Sequence, residues 1–519
     1  MIPIYNNNID KYKEYSFDAI NSGWISNYGE YIQKSENKLK EILNVNHAIL
    51  MSNGTCATHC IYLALKYKYP NITTIYLPNY VYVAVYNCCL MVYDKSNIKI
   101  LETDADTLNF NTDTDYLNSL EKNSAIVIVH NIGNVINILE LKKIRPDIIF
   151  IEDNCEGFTG KYENYYTGTQ SLCSSLSFYG NKTITTGEGG AFLTNDIDIY
   201  NYIKKIYSQS MTNERYVHDN LAYNYRMSNI QASLLYGQLL DFDNIILKKK
   251  LIFDNYKMLF TKLINQGKVT IPIENLSCLN ANWIFAIKLN NIKYKDICKR
   301  LIDNNIDTRP FFCSLNNHKH LKDIQNTDNE LLYNNIFMIP SGIIITYEEQ
   351  KYIVDIIEKI IYDLNNITSY EILAKYYDKI FNYQHIDTNS NNAFITYLIN
   401  LLKKKNLCLD IGCGTGIYTE MLYTYFLKTI AIDPSIYMIN KAIKNNSIDY
   451  RVCYLNQVNE TNINLITAFS QIVNHLTSLD LLEDFIKNVS LKIDINGIFY
   501  FDIFNYYFFN KNSPKYEYR

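Results

Sequence analysis

The sequence predicts a multidomain α/β protein, and three observations carry that reading. From the start to about Leu364, short apolar runs bounded by turn residues alternate with amphipathic stretches, the pattern of buried strands set between helices. Further on, NLCLDIGCGTGIYTEML reads as a strand, an acidic residue, a glycine run and a helix, which opens a second α/β block. The length of 519 residues is three to four times the roughly 150 that one domain occupies.

Taken in order, HAILMSN, TIYLPNY, SAIVIVH, IIFIEDN and GAFLTND each read as a buried strand whose far end delivers polar residues. Open α/β sheets place their ligands at such strand ends. From about Leu247 to Ile361 a smaller lobe follows, with strand-like NWIFAIKL and a closing helix, YEEQKYIVDIIEKIIYDL. The polar segment NNITSYE is turn-prone and sets a boundary near Asn366. Beyond it come a tyrosine-rich helix, LAKYYDKIF, and the glycine-run block. The expected divisions are therefore 1–246, 247–365 and 366–519.

Composition narrows the class. With 48% hydrophobic and 20% charged residues the chain is neither disordered nor fibrous. Lys plus Arg number 49 against 53 Asp plus Glu, a net charge of -4, which argues against a general nucleic-acid binder. MIPIYNNNIDKYKEY lacks the basic start and apolar core of a signal peptide, and no stretch approaches the roughly 18 apolar residues of a membrane span. A cytoplasmic location with no membrane partner is expected. Twelve scattered cysteines without a CxxC pair point to reduced thiols and no metal site.

The first candidate site centres on SLSFYGNKTITTGEGGAFLTND, where Lys182 stands between a short apolar stretch and Gly187, Gly189 and Gly190. Glycines there allow a tight turn and close approach of backbone to a ligand. Alone, this would be an exposed loop lysine. Three other segments change the reading. IIFIEDNCEGF ends a strand on Glu152 and Asp153, and a carboxylate there can ionise beside a protonated pyridine nitrogen. Ser52, Asn53, Gly54 and Thr55 lead from a strand into a helix, whose free N–H groups and hydroxyls suit a phosphate. In LPNYVYVAVYN, Tyr80 and Tyr82 follow another strand, where an aromatic face can stack on a planar cofactor. Phosphate cradle, acid, aromatic lid and lysine are the parts that pyridoxal 5'-phosphate requires. His130, at a strand end, reads as a satisfied core or rim histidine and stays outside this set.

On SGWISNYGEYIQKSENKL, SNGTCATH, VHNIGN, IEDNCEGF, SFYGNKTITTGEGGAFLTND, YNYRMSNIQAS, TRPFF and IPSG, the first roughly 365 residues resemble the DegT/DnrJ/EryC1/StrS family of sugar aminotransferases, which have the fold-type I architecture. The resemblance implies that Lys182 bonds the cofactor and moves the proton, that Asp153 pairs with the pyridine nitrogen, and that Thr55 and Ser177, beside Asn53 and Gly54, hold the phosphate. It places Tyr82 on the ring and Glu156 and Tyr179 toward the substrate. It also implies a homodimer with shared active sites, in which the loop bearing Asn224 and Arg226 reaches the partner's cofactor site, Arg226 toward substrate. Without it, YNYRMSN reads as a capped helix start.

Glutamate is the amino donor so implied, and a nucleotide-linked keto-sugar the acceptor. EDNCEGF with TRPFF resembles the branch that aminates C4 of 4-keto-6-deoxyhexoses, as in perosamine or viosamine formation. Amination at C3 is the alternative within enzymes, and a non-catalytic sensor on the same fold the alternative outside them. The nucleotide carrier has no readable code. VINILELKKIRPDIIF, between VHNIGN and IEDNCEGF, is shorter than the family's usual connection.

In the second site Gly412, Gly414 and Gly416 give a GxGxG spacing after Asp410, and LKTIAIDPS ends a second strand on Asp433. The run resembles motif I of class I S-adenosylmethionine-dependent methyltransferases, with Asp433 toward the ribose hydroxyls. NLITAFSQIVNHLTS and NGIFYFDIFN would be the fourth and fifth strands. Such domains usually continue for two more strands, so three readings of this Rossmann-like domain, incomplete by that count, stand: a minimal methyltransferase acting on the same sugar, a truncated one that binds its cofactor poorly, and a degenerate domain kept for association. Impaired or absent methyl transfer is the expectation.

Overall fold

The computed structural model describes residues 1–324, 334–380, 388–442, 445–469, 472–476 and 478–503. It divides into two compact units, Met1–Ile360 and Ile361–Arg519. The first unit is built on a sheet of seven strands: β1 (His47–Met51), β2 (Ile75–Pro78), β3 (Ile98–Leu101), β4 (Ala125–Val129), β5 (Ile149–Asp153), β6 (Ser174–Ser177) and β7 (Gly190–Thr194), in the order β1-β7-β6-β5-β4-β2-β3. Only β7 runs against its neighbours. The carboxyl ends of the other six strands therefore lie along one edge, together with the start of β7.

Alternation along the strands builds the layers. Ile49 and Met51 face one apolar core with Ala57, Ile61 and Phe192, while Ala48 and Leu50 face another with Leu176, Ala191 and Leu193. The first core is covered by the helix Gly54–Lys68, α1, of which Ala57, Cys60, Ile61, Ala64 and Leu65 are fully buried. Asn53 starts α1 by accepting the amide of Cys56, and Lys66 and Lys68 meet its negative end. A four-stranded antiparallel sheet follows, made of Val269–Thr270, Phe285–Leu289, Ile336–Ile339 and Arg309–Pro310 in that spatial order. The expected strand NWIFAIKL supplies its second member. The short connection VINILELKKIRPDIIF forms only a seven-residue helix, Ile138–Ile144.

Two expectations meet a different local structure. NNITSYE is helical, inside the long helix Tyr347–Ile380, and residue 247 lies inside the helix Phe242–Asn265. Leu, Ile and Tyr on either side of NNITSYE sustain the helical period that its asparagines alone would not. The last residue of LAKYYDKIF and the end of NGIFYFDIFN lie outside the described residues.

The second unit is a five-stranded sheet: β8 (Leu407–Ile411), β9 (Lys428–Asp433), β10 (Ile448–Val452), β11 (Ile463–Ala468) and β12 (Ile493–Phe501), ordered β10-β9-β8-β11-β12 and parallel throughout. Leu409, Ile411, Ile430 and Ile432 share one core, and Cys408 and Leu465 lie in another. The order reverses between β9 and β11 on either side of β8, the switch point at which such sheets hold ligands. Among the described residues no helix is long and apolar enough to cross a membrane.

Candidate functional sites

The strand ends of the first unit converge on a buried carboxylate. Asp153, the last residue of β5, is 4% exposed. One of its oxygens accepts the Thr58 hydroxyl at 3.0 Å and the other accepts the Cys155 amide at 3.2 Å. Thr58 Oγ1 also lies 3.0 Å from Ser175 Oγ on β6. Thr58 stands one helical turn after Thr55, so the same face of α1 carries the helix start and the group that aims Asp153. Sequence reading missed Thr58 and Ser175, although the i, i+3 spacing from Thr55 was a usable signal.

The helix start is pressed against β6. A Cβ added at Gly54 would stand 2.7 Å from Ser177 Cβ and 2.9 Å from Ser177 Oγ, so no side chain fits there. Gly190 is equally confined, since a Cβ added there would stand 2.5 Å from the Asn53 carbonyl oxygen. The first-turn N–H groups of α1 and the Ser177 hydroxyl thus form one compact donor set, with Thr55 exposed beside it. That cradle fits a phosphate, and the carboxylate on β5 fits a cationic ring nitrogen.

Lys182 hangs from the loop between β6 and β7. Its ammonium lies over the ring of Trp283, 3.8 Å from the centroid. The Trp283 indole N–H donates to the Asn181 carbonyl at 2.9 Å, and Asn7 Nδ2 donates to the carbonyls of Gly180 and Lys182, each at 3.2 Å. Glu156 is buried and accepts the Ile132 amide at 2.8 Å. Burial pushes its carboxyl up to about 7, against an opposing pull from Lys182. Ile132 itself has φ +56°, a conformation costly for a β-branched residue, and it is held there at the rim of the site. His130 is fully buried, with Nε2 3.1 Å from Glu152 Oε1 and Nδ1 accepting the Ile136 amide.

The remaining residues stand on surrounding loops; among the described residues none has a side-chain hydrogen bond to Lys182 or Asp153, although the Tyr179 carbonyl accepts the Lys182 amide at 2.9 Å. Tyr82 is 57% exposed and meets Phe312 edge-on, with centroids 6.2 Å apart. Its neighbour Tyr80 is instead fully buried. Tyr179 is half-exposed, its amide donating to Ser177 Oγ at 3.3 Å. Arg226 Nε donates to Asn224 Oδ1 at 2.9 Å, and their segment pairs with the end of β1 through Met51 and Ser52 of the same chain. Ser228 then caps the helix Asn229–Leu240 through a capping box with Gln231, as the YNYRMSN pattern predicts.

In the second unit Gly412, Gly414 and Gly416 all take positive φ, +65°, +55° and +84°. This is the backbone that favours glycine, and it carries the loop from β8 to the helix Ile417–Leu422. Asp433, at the end of β9, accepts the Gly414 amide at 3.0 Å and the Ser435 amide at 2.8 Å. Asp410 is buried beneath the loop and accepts the hydroxyls of Thr419 at 2.6 Å and Thr467 at 2.8 Å. Burial pushes its carboxyl up to about 6 and raises that of Asp433. Asp433 thus braces the loop and stands beside it, whereas Asp410 ties β8, β11 and the following helix together.

Comparison with known proteins matches a family model to each of the two regions that carry these sites. The family model of the DegT/DnrJ/EryC1/StrS aminotransferases matches residues 7–358, and a methyltransferase-domain model matches residues 408–491. The chain is 35% identical over 317 residues to the GDP-perosamine synthase of Escherichia coli O157:H7, spanning 60% of this chain and 84% of that one. It is 31% identical over 319 residues to the GDP-perosamine synthase of Vibrio cholerae, spanning 60% and 85%. A solved structure of a GDP-4-keto-6-deoxymannose-3-dehydratase variant with bound GDP-perosamine superposes with a TM-score of 0.62 at 21% identity, covering 69% of this chain and all of that one. A Helicobacter pylori aminotransferase involved in the biosynthesis of pseudoaminic acid gives 0.60 at 21%, covering 68% and 96%. At these identities the solved structures show the shared fold.

Proposed function

The chain belongs to the DegT/DnrJ/EryC1/StrS aminotransferase family, and from that premise we propose that it transfers the amino group of glutamate to C4 of a GDP-linked 4-keto-6-deoxyhexose. The observation that carries this reading is the convergence of Asp153 and the Gly54–Ser177 cradle at one sheet edge, with Lys182 on the loop that leaves β6. The GDP carrier and the C4 position rest on the perosamine synthases among its relatives.

Pyridoxal 5'-phosphate, when bound, supplies an electron sink that makes the α-proton of glutamate acidic and stores the amine until the keto-sugar arrives. The residues have separable tasks. The Gly54 and Thr55 amides and the Ser177 hydroxyl bind the phosphate, with Asn53 capping their helix. Asp153, kept in place by Thr58 and the Cys155 amide, would pair with the ring nitrogen. Tyr82 would stack on the ring. Lys182 bonds the cofactor at rest and, once released, carries the proton between the substrate carbon and the cofactor. Glu156, whose carboxyl is poised near neutrality, can both donate to and accept from a sugar oxygen, and Tyr179 flanks the same opening.

A homodimer completes the proposed site. Trp24, Ile25, Tyr28, Tyr216 and Leu221 are exposed large apolar side chains, and the Trp24 carbonyl is bound to Asn229, just beyond Arg226. Covering them with a second copy would bring Asn224 and Arg226 beside the partner's cofactor and substrate. In the second unit, the glycine loop and Asp433 support S-adenosylmethionine binding, with methyl transfer to the same sugar as a second activity.

The test is chemical. Borohydride reduction of the cofactor-loaded protein followed by peptide mapping should place the cofactor mass on Lys182. Its appearance on any other lysine, or on none, would refute the assignment.

A further inference from the structure

The loop that presents Lys182 is held from outside its own strands. Three consecutive carbonyls, of Gly180, Asn181 and Lys182, each accept a side-chain N–H from a distant segment: Asn7 takes the first and third, Trp283 the second. The Trp283 ring does something further, because its face lies 3.8 Å from the Lys182 ammonium. A cation at that distance is attracted by the ring quadrupole, most strongly where water is excluded, and Trp283 is only 5% exposed.

Trp283 is itself anchored by a buried lysine that the proposed chemistry does not use. Lys249 is 3% exposed, and its Nζ donates to the carbonyls of Trp283 at 2.9 Å and Ser341 at 2.5 Å. The Ser341 amide in turn donates to the Ile4 carbonyl at 3.4 Å, on the segment that leads to Asn7. Ser341 Oγ accepts the Phe285 amide at 3.0 Å, closing the ring of contacts. Both outside holds on the lysine loop, Trp283 and the N-terminal segment, therefore lead back to Lys249. A buried lysine spent on two backbone carbonyls is costly unless their positions matter.

We propose that Trp283 is the positioning residue of Lys182: its ring face receives the ammonium whenever the lysine is free, and its N–H, with Asn7, fixes the loop from which the lysine swings. The inference rests on Lys182 being the cofactor lysine, and it adds where that lysine waits between its covalent states. A ring face attracts an ammonium and not a free amine, and it acts here beside the Glu156 carboxyl, which also attracts the Lys182 charge.

The test reads Lys182 directly in the full chain freed of cofactor, by competitive acetylation with acetic anhydride across the alkaline range and mass spectrometry of its peptide. In Trp283→Leu the labelling midpoint should fall by about half to one unit, so that the free-amine fraction below the midpoint rises about three- to tenfold. Trp283→Phe, which keeps a ring face, should restore the midpoint. Should Trp283→Leu not fold, 5-fluorotryptophan and then more heavily fluorinated tryptophan can be incorporated in a Trp24→Phe background, leaving Trp283 as the sole site of two. The midpoint should then fall stepwise with fluorination at unchanged melting temperature. A midpoint indifferent to ring loss or fluorination, or equal shifts in the Leu and Phe variants, would overturn the proposal. Failure of the cofactor assignment is distinguishable, since borohydride mapping would miss Lys182 while this midpoint still moved.

Discussion

The two candidate sites each fix a carboxylate at a strand end, and they draw its supports from different distances in sequence. In the first unit Asp153 has one local brace, the Cys155 amide two residues on, but its other hold comes from far away: Thr58 is 95 residues distant, and in the neighbouring lysine loop the Trp283 indole reaches Asn181 across 102 residues. In the second, Asp433 is braced by Gly414, 19 residues before it, and by Ser435, two after it. A locally built loop can be recognised from one motif. A site assembled by chain reversal depends on the whole fold, so its supports can be broken at positions that look unremarkable in sequence.

The largest expected effect is a clean separation of the two units. Lys182→Ala should lower amination at least about a thousandfold and abolish the visible cofactor band, while S-adenosylmethionine binding, read by calorimetry, stays within about twofold. Loss of both together would mean that the sites are not independent. Next in size, Asp153→Asn should cost amination about two to three orders of magnitude, because a neutral amide cannot hold a proton on the ring nitrogen. Thr58→Val should cost much less, about tenfold, since it only frees Asp153 to move. Equal losses in these two variants would show that the aim of Asp153, rather than its charge, is what matters.

Legibility followed the same division. The places of Gly54 at a helix start, Asp153 at a strand end and Lys182 on a loop could be read because turn, strand end and glycine run each leave a local mark, and the loop of Gly412 to Gly416 because it needs positive φ. Trp283 and Asn7 could not, since nothing near either residue says which loop carbonyl it will meet. NNITSYE was misread for a related reason: its asparagines favour a turn locally, but the apolar periodicity on both sides continues one helix through it. The capping box at Ser228 and Gln231 was legible because both partners lie within one turn.

Smaller effects sharpen the contrast. Gly54→Ala should lower stability by about 1–3 kcal/mol and weaken cofactor retention, because its Cβ would meet Ser177 at 2.7 Å. Asp433→Ala should weaken S-adenosylmethionine binding by about ten- to a hundredfold and leave amination unchanged. Calorimetry showing no binding to the unmutated protein would remove the second ligand altogether. Asp410 gives a pH signature. Its carboxyl is raised by burial from 3.8 to about 6 in the folded state, so the folded protein binds the extra proton and stability falls as pH rises through that interval, then levels off. Asp410→Asn should flatten that slope in the unfolding of the second unit, leaving only the part of the same sign from Asp433, and an unchanged slope would assign it to other groups.

The most direct measurement of the central claim is mass spectrometry of GDP-4-keto-6-deoxymannose incubated with the purified protein, glutamate and S-adenosylmethionine. The account predicts conversion to the 4-amino sugar with formation of 2-oxoglutarate in equal amount, and a further methyl group on the product if the second unit transfers as well as binds. Recovery of the keto-sugar unchanged, with the cofactor band present and Lys182 intact, would contradict amination of this substrate.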